Sequence, residues 1–217
     1  MKYTLSLIKK DFLLNRKMLI VLFLAAIIIP IFIQSKLGKY GFTPMPFFIT
    51  EFLILYILFG NSSMLDYKYK GAVLLSTTPY KRKTVVCASY AFLLVCFVSC
   101  FIIYQITSLV PAAKLPTLGI NTVGAILLGN VIFYGIIIPL QYYFGYEKMK
   151  FITYMIVFLV PFCMPQIAKF LQDSNLDLSV ITKLQPIIKG ILVYGSMIVI
   201  SLLSMILSIK IYAKKDL

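Results

Sequence analysis

The sequence predicts an all-α, polytopic membrane protein. Six transmembrane helices are preceded by an interfacial helix, and a short cytoplasmic helix lies between the second and third spans. Three observations carry this. Of 217 residues, 61% are apolar and 13% charged, where a soluble domain has roughly 45–50% and about 25%. The mean hydropathy of +0.96 describes more apolar surface than a water-soluble fold of this length can bury. Finally, lysine and arginine are concentrated in alternate connecting segments, as the topology of a multi-span chain requires.

A bilayer-crossing helix needs about 20 mostly apolar residues. Six stretches qualify: Met18–Gln34, Phe47–Met64, Val85–Val110, Gly119–Tyr143, Phe151–Ala168 and Gly190–Ile209. They are too long and too uniformly apolar for the alternating strands of a membrane β-barrel. The longest connection, Lys169–Lys189, has 21 residues, so residues 1–217 read as a single transmembrane domain with no separate soluble unit. The first apolar run lacks a small-residue cleavage site and reads as a retained first helix.

Segments 1–17, 65–84, 144–150 and 210–217 hold 15 of the 21 Lys and Arg residues. Excess Lys and Arg marks the cytoplasmic side, so both termini are expected inside. The net charge of +14 is then mostly topology plus attraction to anionic membrane lipids, and no nucleic-acid partner is expected. Histidine is absent, which removes His-based zinc sites, Ser-His-Asp triads and histidine proton relays. Cys87, Cys96, Cys100 and Cys163 all fall within predicted spans; their spacing matches neither a metal site nor a disulfide framework.

Taken in order, Tyr3–Lys17 places Leu5, Ile8 and Phe12 on one helical face, with Lys9, Lys10 and Arg16 largely on the other. That is the pattern of a helix lying in the membrane interface; the alternative is an ordinary basic flank of the first span. Ser35–Pro46, with Gly38, Gly41, Pro44 and Pro46, reads as an irregular outer turn. In Leu65–Thr84, Asp66 is placed to cap a short helix from Tyr67 to about Leu75. Thr78-Pro79 then starts the helix of the third span. A short helix parallel to the membrane is a docking element for a cytoplasmic partner; the alternative is a solvated or lipid-facing loop. Pro161 and Pro165 must kink or break the fifth stretch. Lys169–Lys189 is apolar enough to form an outer helix or re-entrant hairpin.

Glu51, Gln105, Asn130 and Gln141 are the strongest polar side chains in the spans. Unpaired in hydrocarbon each costs several kcal/mol, so each should face protein or a wet cavity, and together they are candidates for a translocation path. For Glu51 and Gln105 the competing expectation is snorkelling to the outer interface, and Gln141 is similarly near the inner one. Asn130 lies deeper and is expected to bond across helices. Cys87/Ala91, Ala125/Gly129 and Ser204/Ser208 are small pairs at i, i+4 that permit close helix approach.

No GxxxxGK[ST] sequence occurs, so no P-loop binds ATP here. Paired intramembrane catalytic groups, an inverted repeat and a filter sequence are all missing, which disfavours protease, secondary transporter and channel. A membrane subunit that borrows its energy elsewhere remains. The chain resembles the permease subunit of ABC-2-type (type V) ABC exporters, particularly the small permeases of phenol-soluble-modulin and bacteriocin exporters. The likeness lies in Leu7–Leu19 (LIKKDFLLNRKML), Leu74–Tyr90 (LLSTTPYKRKTVVCASY) and Ser208–Leu217 (SIKIYAKKDL). It departs from the family pattern at Tyr80, between the Pro and the basic cluster, and at Gly71 within the coupling helix.

The resemblance implies a bacterial plasma-membrane assembly of two permeases, identical or not, and two separate nucleotide-binding ATPase subunits. ATP and Mg²⁺ would bind the ATPase, with no cofactor on this chain, which would not itself be an enzyme. Asp66, Tyr67, Lys68, Tyr69, Lys70, Gly71, Ala72, Val73, Leu74 and Leu75 would form the coupling helix in a groove of that ATPase. The cargo implied is an amphipathic, antimicrobial or cytolytic peptide, with lipid-linked or small lipophilic cargo fitting equally well. Two other classes compete: a non-transporting immunity or sensor protein that sequesters such peptides, and a membrane enzyme without histidine.

Overall fold

A computed structural model describes residues 2–37, 44–71, 74, 81–113, 115–157, 159 and 186–214. Six helices organise them: α1 (Lys2–Leu14), α2 (Arg16–Leu37), α3 (Met45–Lys68), α4 (Arg82–Ser108), α5 (Ile120–Phe144) and α6 (Pro186–Ala213). A 3₁₀ turn spans Pro111–Ala113, and residues 146–157 are also helical. Five stretches are long and apolar enough to cross a membrane: Arg16–Lys36, Met45–Lys68, Arg82–Ser108, Ile120–Phe144 and Gly190–Ala213. They correspond to five of the six predicted spans. The fifth predicted span, Phe151–Ala168, is helical through residue 157; apart from residue 159, its remainder lies outside the described residues, as do most of Lys169–Lys189 and Cys163.

Local chemistry sets most boundaries. Pro44 and Pro46 open α3, where a missing N–H costs nothing, and Thr50 Oγ1 donates back to the Pro46 carbonyl at 2.7 Å. Lys81, with extended backbone (φ −68°, ψ 138°), caps α4. The third-span helix therefore begins at Arg82 rather than at the expected Pro79; Thr78 and Pro79 themselves lie outside the described residues. α5 stops at Gly145, whose φ of 82° and ψ of 166° belong to a region essentially reserved for glycine. That turn lets the chain re-enter helix, Met149 N–H donating to the Gly145 carbonyl at 3.3 Å.

α4 is the hub, touching α1, α2, α3 and α6, while α5 packs chiefly along α6 and α2 along α3. Phe47 on α3 meets Phe97, Phe101 and Tyr104 of α4 with ring centroids 6.0, 6.1 and 5.0 Å apart. α3 and α5 meet through long side chains, Phe52 on Phe133 at 4.7 Å and Phe59 on Tyr134 at 5.7 Å.

The N-terminal helix is fastened to the bundle. α1 lies along α4, Phe12 edge-on to Phe92 at 5.2 Å. Its buried face is Leu7, Asp11 and Asn15, while Leu5 is 66% exposed. Leu5 and Leu7 are equally apolar, so sequence alone gave no reason to separate the leucine that meets protein from the one that faces outward. The small-residue pairs are also sorted. Ser204 and Ser208 receive α4, Tyr90 Oη lying 2.5 and 2.9 Å from their hydroxyls. Cys87 reaches Met205 with sulfurs 3.7 Å apart. Ala125 and Gly129 are exposed, and among the described residues nothing lies within 4 Å of where a Gly129 Cβ would sit. The close approach falls instead at Gly124, where a Cβ would sit 2.9 Å from the Tyr194 ring.

Candidate functional site

The site has two levels. At the basic end of the bundle, α1, the last turn of α3, the start of α4 and the end of α6 converge. Asp66 does not cap a new helix there. α3 runs unbroken through Asp66, Tyr67 and Lys68, with Tyr69 as its C-cap. The apolar run ends at Leu65, but no glycine or proline follows until Gly71, so the backbone ladder continues. Lys70 reverses the chain with φ 49°, and a fresh helical turn begins where Leu74 N–H meets the Lys70 carbonyl at 3.1 Å. Gly71 lies against Asp66: a Cβ would come within 2.7 Å of Asp66 Oδ1 and 3.2 Å of its Cα. Tyr67, Tyr69 and Leu74 are 52%, 58% and 60% exposed. Tyr67 leans on Tyr146 at 5.8 Å, and Lys68 Nζ lies over the Tyr69 ring at 5.6 Å. Ala72, Val73 and Leu75 lie outside the described residues.

This end is fastened by polar contacts. Lys10 Nζ is 3.2 Å from both Asp66 Oδ1 and Asp11 Oδ1. Burial pulls the Lys10 ammonium down, but the Asp66 and Asp11 carboxylates outweigh it and leave its pKa raised. Burial raises Asp11, with the Asp66 charge adding and Lys10 opposing. Asn15 is 1% exposed at the break between α1 and α2. Its Nδ2 donates to the Asp11 carbonyl at 2.8 Å and to Ser62 Oγ at 2.7 Å, while its Oδ1 accepts from Asn61 Nδ2 at 2.6 Å. Arg82 Nη1 donates to the carbonyls of Tyr212 and Ala213 at 3.1 and 2.9 Å, satisfying acceptors the end of α6 leaves open. Between these elements lies a cavity of about 370 Å³, lined by Lys10, Asp11, Asp66, Gln141, Glu147 and Tyr212 among apolar side chains such as Phe59, Phe92 and Ile138.

The four candidate path residues fall in three places. Gln141 lines the basic-end cavity. Gln105 is at the opposite end, its Nε2 donating to the Leu118 carbonyl at 3.2 Å, so it secures the α4–α5 connection. Glu51 and Asn130 come together in mid-bundle. Glu51 is fully buried, which overturns the snorkelling expectation: its turn of α3 faces α5, not the membrane interface. Asn130 Nδ2 donates to Glu51 Oε2 at 2.8 Å and to the Ile126 carbonyl at 3.1 Å. Glu51 Oε1, Asn130 Oδ1 and the Tyr134 hydroxyl are buried without a hydrogen-bond partner among the described residues. Asn130 and Tyr134 line a second, mostly apolar cavity of about 220 Å³. Sequence reasoning missed Lys10, Asp11, Asn15 and Tyr134 as site residues. The visible signal was Asp11 and Asn15, two polar residues at i, i+4 spacing in line with Leu7 on an otherwise apolar-basic segment.

Five apolar helices of spanning length, fastened by polar contacts at one end, define a polytopic membrane protein. Residues 6–213 match the family model described as ABC-2 family transporter protein, and the chain belongs to that family. Membership points to the membrane permease of an ABC transporter and implies an ABC ATPase subunit as its working partner. No curated protein and no solved structure matches the chain.

Proposed function

We propose that the chain is the permease subunit of an ATP-driven exporter of amphipathic peptides in the bacterial plasma membrane. It pairs with a second permease, identical or related, and both of its termini are cytoplasmic. Family membership supports the ATPase partner, and the lysine and arginine asymmetry supports the orientation. Phenol-soluble modulins and bacteriocins are the cargo class that the sequence resemblance favours, and a mostly apolar bundle suits amphipathic cargo better than a hydrophilic solute. ATP and Mg²⁺ bind the partner.

The observation that carries this reading is the basic end of α3. Asp66–Lys68 continue the span as one helix, the chain turns at Lys70 directly after it, and Tyr67, Tyr69 and Leu74 are exposed there. A partner that moves this segment moves α3 as a lever, and Lys10 and Asn15 carry the motion to α1. Glu51, Asn130 and Gln141 are the side chains through which the lever reaches the bundle interior, while Gln105 anchors the far end.

The test is purification of the tagged chain from its native membrane, with mass spectrometry of co-purifying proteins. A stoichiometric ATPase is expected, with its recovery reduced several-fold by Lys68→Glu or Lys70→Glu. Recovery of the chain without an ATPase overturns the exporter reading in favour of an immunity or sensor protein. Unchanged recovery with both variants overturns the coupling segment.

A further inference from the structure

We propose that the outward face of α1 and the first turns of α2 binds one anionic phospholipid from the leaflet at the basic end, its phosphate held between Lys9 and Lys17 and its acyl chains laid along α2. α1 and α2 form almost one rod. Asn15 N–H donates to the Asp11 carbonyl at 3.1 Å and Leu19 N–H to the Asn15 carbonyl at 2.8 Å, so the helical ladder crosses the break between them. Residues four apart on such a rod share a face. One face, Leu7, Asp11, Asn15 and Leu19, is buried in the bundle. The opposite face is Leu5, Lys9, Leu13, Lys17 and Val21, all exposed, the three apolar members by 66%, 60% and 65%.

That outward face carries no acid. Asp11, the one carboxylate of α1, points inward and lies 3.2 Å from Lys10. Among the described residues no carboxylate pairs with Lys9 or Lys17. The two lysines stand roughly 12 Å apart along the axis, eight residues at the helical rise, and their flexible stems can lean over Leu13 to share one phosphate. On the membrane side of Lys17, α2 presents Ile20, Leu24 and Ile28, 61%, 57% and 64% exposed, within a helix apolar enough to span a bilayer. Charge followed by an apolar strip is the order of head and tail in a phospholipid. A soluble phosphate has no use for Leu5, Leu13 and the strip, and an acidic protein surface cannot follow α2 into hydrocarbon. A zwitterionic headgroup sets its own cation beside its phosphate. An anionic one leaves its charge to the lysines, each worth about fivefold in affinity near such lipid.

The experiment places the purified chain in nanodiscs of equal parts phosphatidylglycerol and chain-matched phosphatidylcholine, and counts the lipids it retains by native mass spectrometry. It needs neither ATPase nor cargo, so it stands or falls separately from the exporter reading. One phosphatidylglycerol per chain is expected, preferred about tenfold or more over phosphatidylcholine. Lys9→Glu with Lys17→Glu should abolish that preference. Lys210→Glu with Lys214→Glu, the same change of charge on exposed residues at the end of α6, should leave it within about twofold. Equal retention of the two lipids, or a preference that survives Lys9→Glu with Lys17→Glu, overturns the proposal. So does an equal loss in the α6 variant, which would make the selectivity a property of the whole basic end. Displacement of the lipid by water-soluble glycerophosphate overturns it in favour of a free-anion site. If the charge-reversed chain fails to fold, Lys9→Gln with Lys17→Gln is measured instead, and an unchanged preference in that variant overturns the proposal equally.

Discussion

Replacing Asn15 by alanine isolates the joint between α1, α2 and α3. Its side chain makes three hydrogen bonds, to the Asp11 carbonyl, to Ser62 Oγ and from Asn61 Nδ2, all between 2.6 and 2.8 Å. Net contributions of about 1 kcal/mol for a hydrogen bond in a protein and about 0.6 kcal/mol for one between membrane helices bracket the loss near 2–3 kcal/mol. The stranded Asn61 amide adds to the cost, while Ser62 can turn its hydroxyl to a carbonyl of its own helix. At roughly 2–4 °C per kcal/mol for a chain of this size, Asn15→Ala should lower the melting temperature in detergent by about 5–10 °C. The control is Arg16→Ala, an exposed neighbour, which should barely move it. A double-mutant cycle with Ser62→Ala should return a coupling of about 0.6 kcal/mol. Were Asn15→Ala to melt within 1 °C of Arg16→Ala, the joint would be ornamental and the lever between α3 and α1 unsupported.

Four further outcomes are expected. Asp66→Asn should cost at most about 1 kcal/mol, since the Lys10–Asp66 pair is partly exposed, and the loss should fade in high salt. Asp11 has a raised folded pKa, so its contribution to stability is greatest below the ordinary carboxyl range and is lost as pH rises through the folded value. Asp11→Asn should therefore melt no lower than wild type at pH 7, and any advantage should vanish on acidification below pH 4, as thermal scans across pH will show. Gly71→Ala must displace Asp66, including backbone 3.2 Å away, and should reduce ATPase co-purification while leaving the spans folded by circular dichroism. Gly124→Ala pushes on the Tyr194 ring, whose hydroxyl donates to the Ile120 carbonyl at 3.0 Å; it should lower the melting temperature by a few degrees through the α5–α6 seam.

Hydropathy located five helices to within a few residues because the free energy of placing a backbone in hydrocarbon leaves helix as the economical choice. It did not locate their partners. In water an apolar residue points to the core; in a bilayer lipid and protein are equally apolar, so hydropathy reports depth and is silent about facing. Leu5 and Leu7 show this, as do Gly124 and Gly129, chemically identical pairs of which one member each is enclosed. Polar residues are the informative exceptions. Asn130 was expected to bond across helices and reaches Glu51 from α5 to α3; the identity of that partner depended on the relative placement of two helices 79 positions apart in sequence.

The end of α3 shows the complementary failure. Apolar character stops at Leu65, and a reading that ends the span there assigns Asp66 to a cap. Helices, however, end where backbone hydrogen bonding is interrupted, and Leu65–Lys68 offer no interruption. The reversal comes at Lys70, whose φ of 49° costs a non-glycine residue about 1–2 kcal/mol. Lys70→Gly should therefore raise the melting temperature, by up to about 4 °C for the first kcal/mol recovered, if that conformation belongs to the isolated permease. A lysine retained in a strained turn beside the exposed Tyr69 is accounted for when its ammonium is needed by the ATPase. The same Lys70→Gly chain should then bind that ATPase more weakly although it is more stable. A variant that is both more stable and equally well bound would separate the turn from coupling and leave Lys68, Tyr67 and Leu74 to carry the contact.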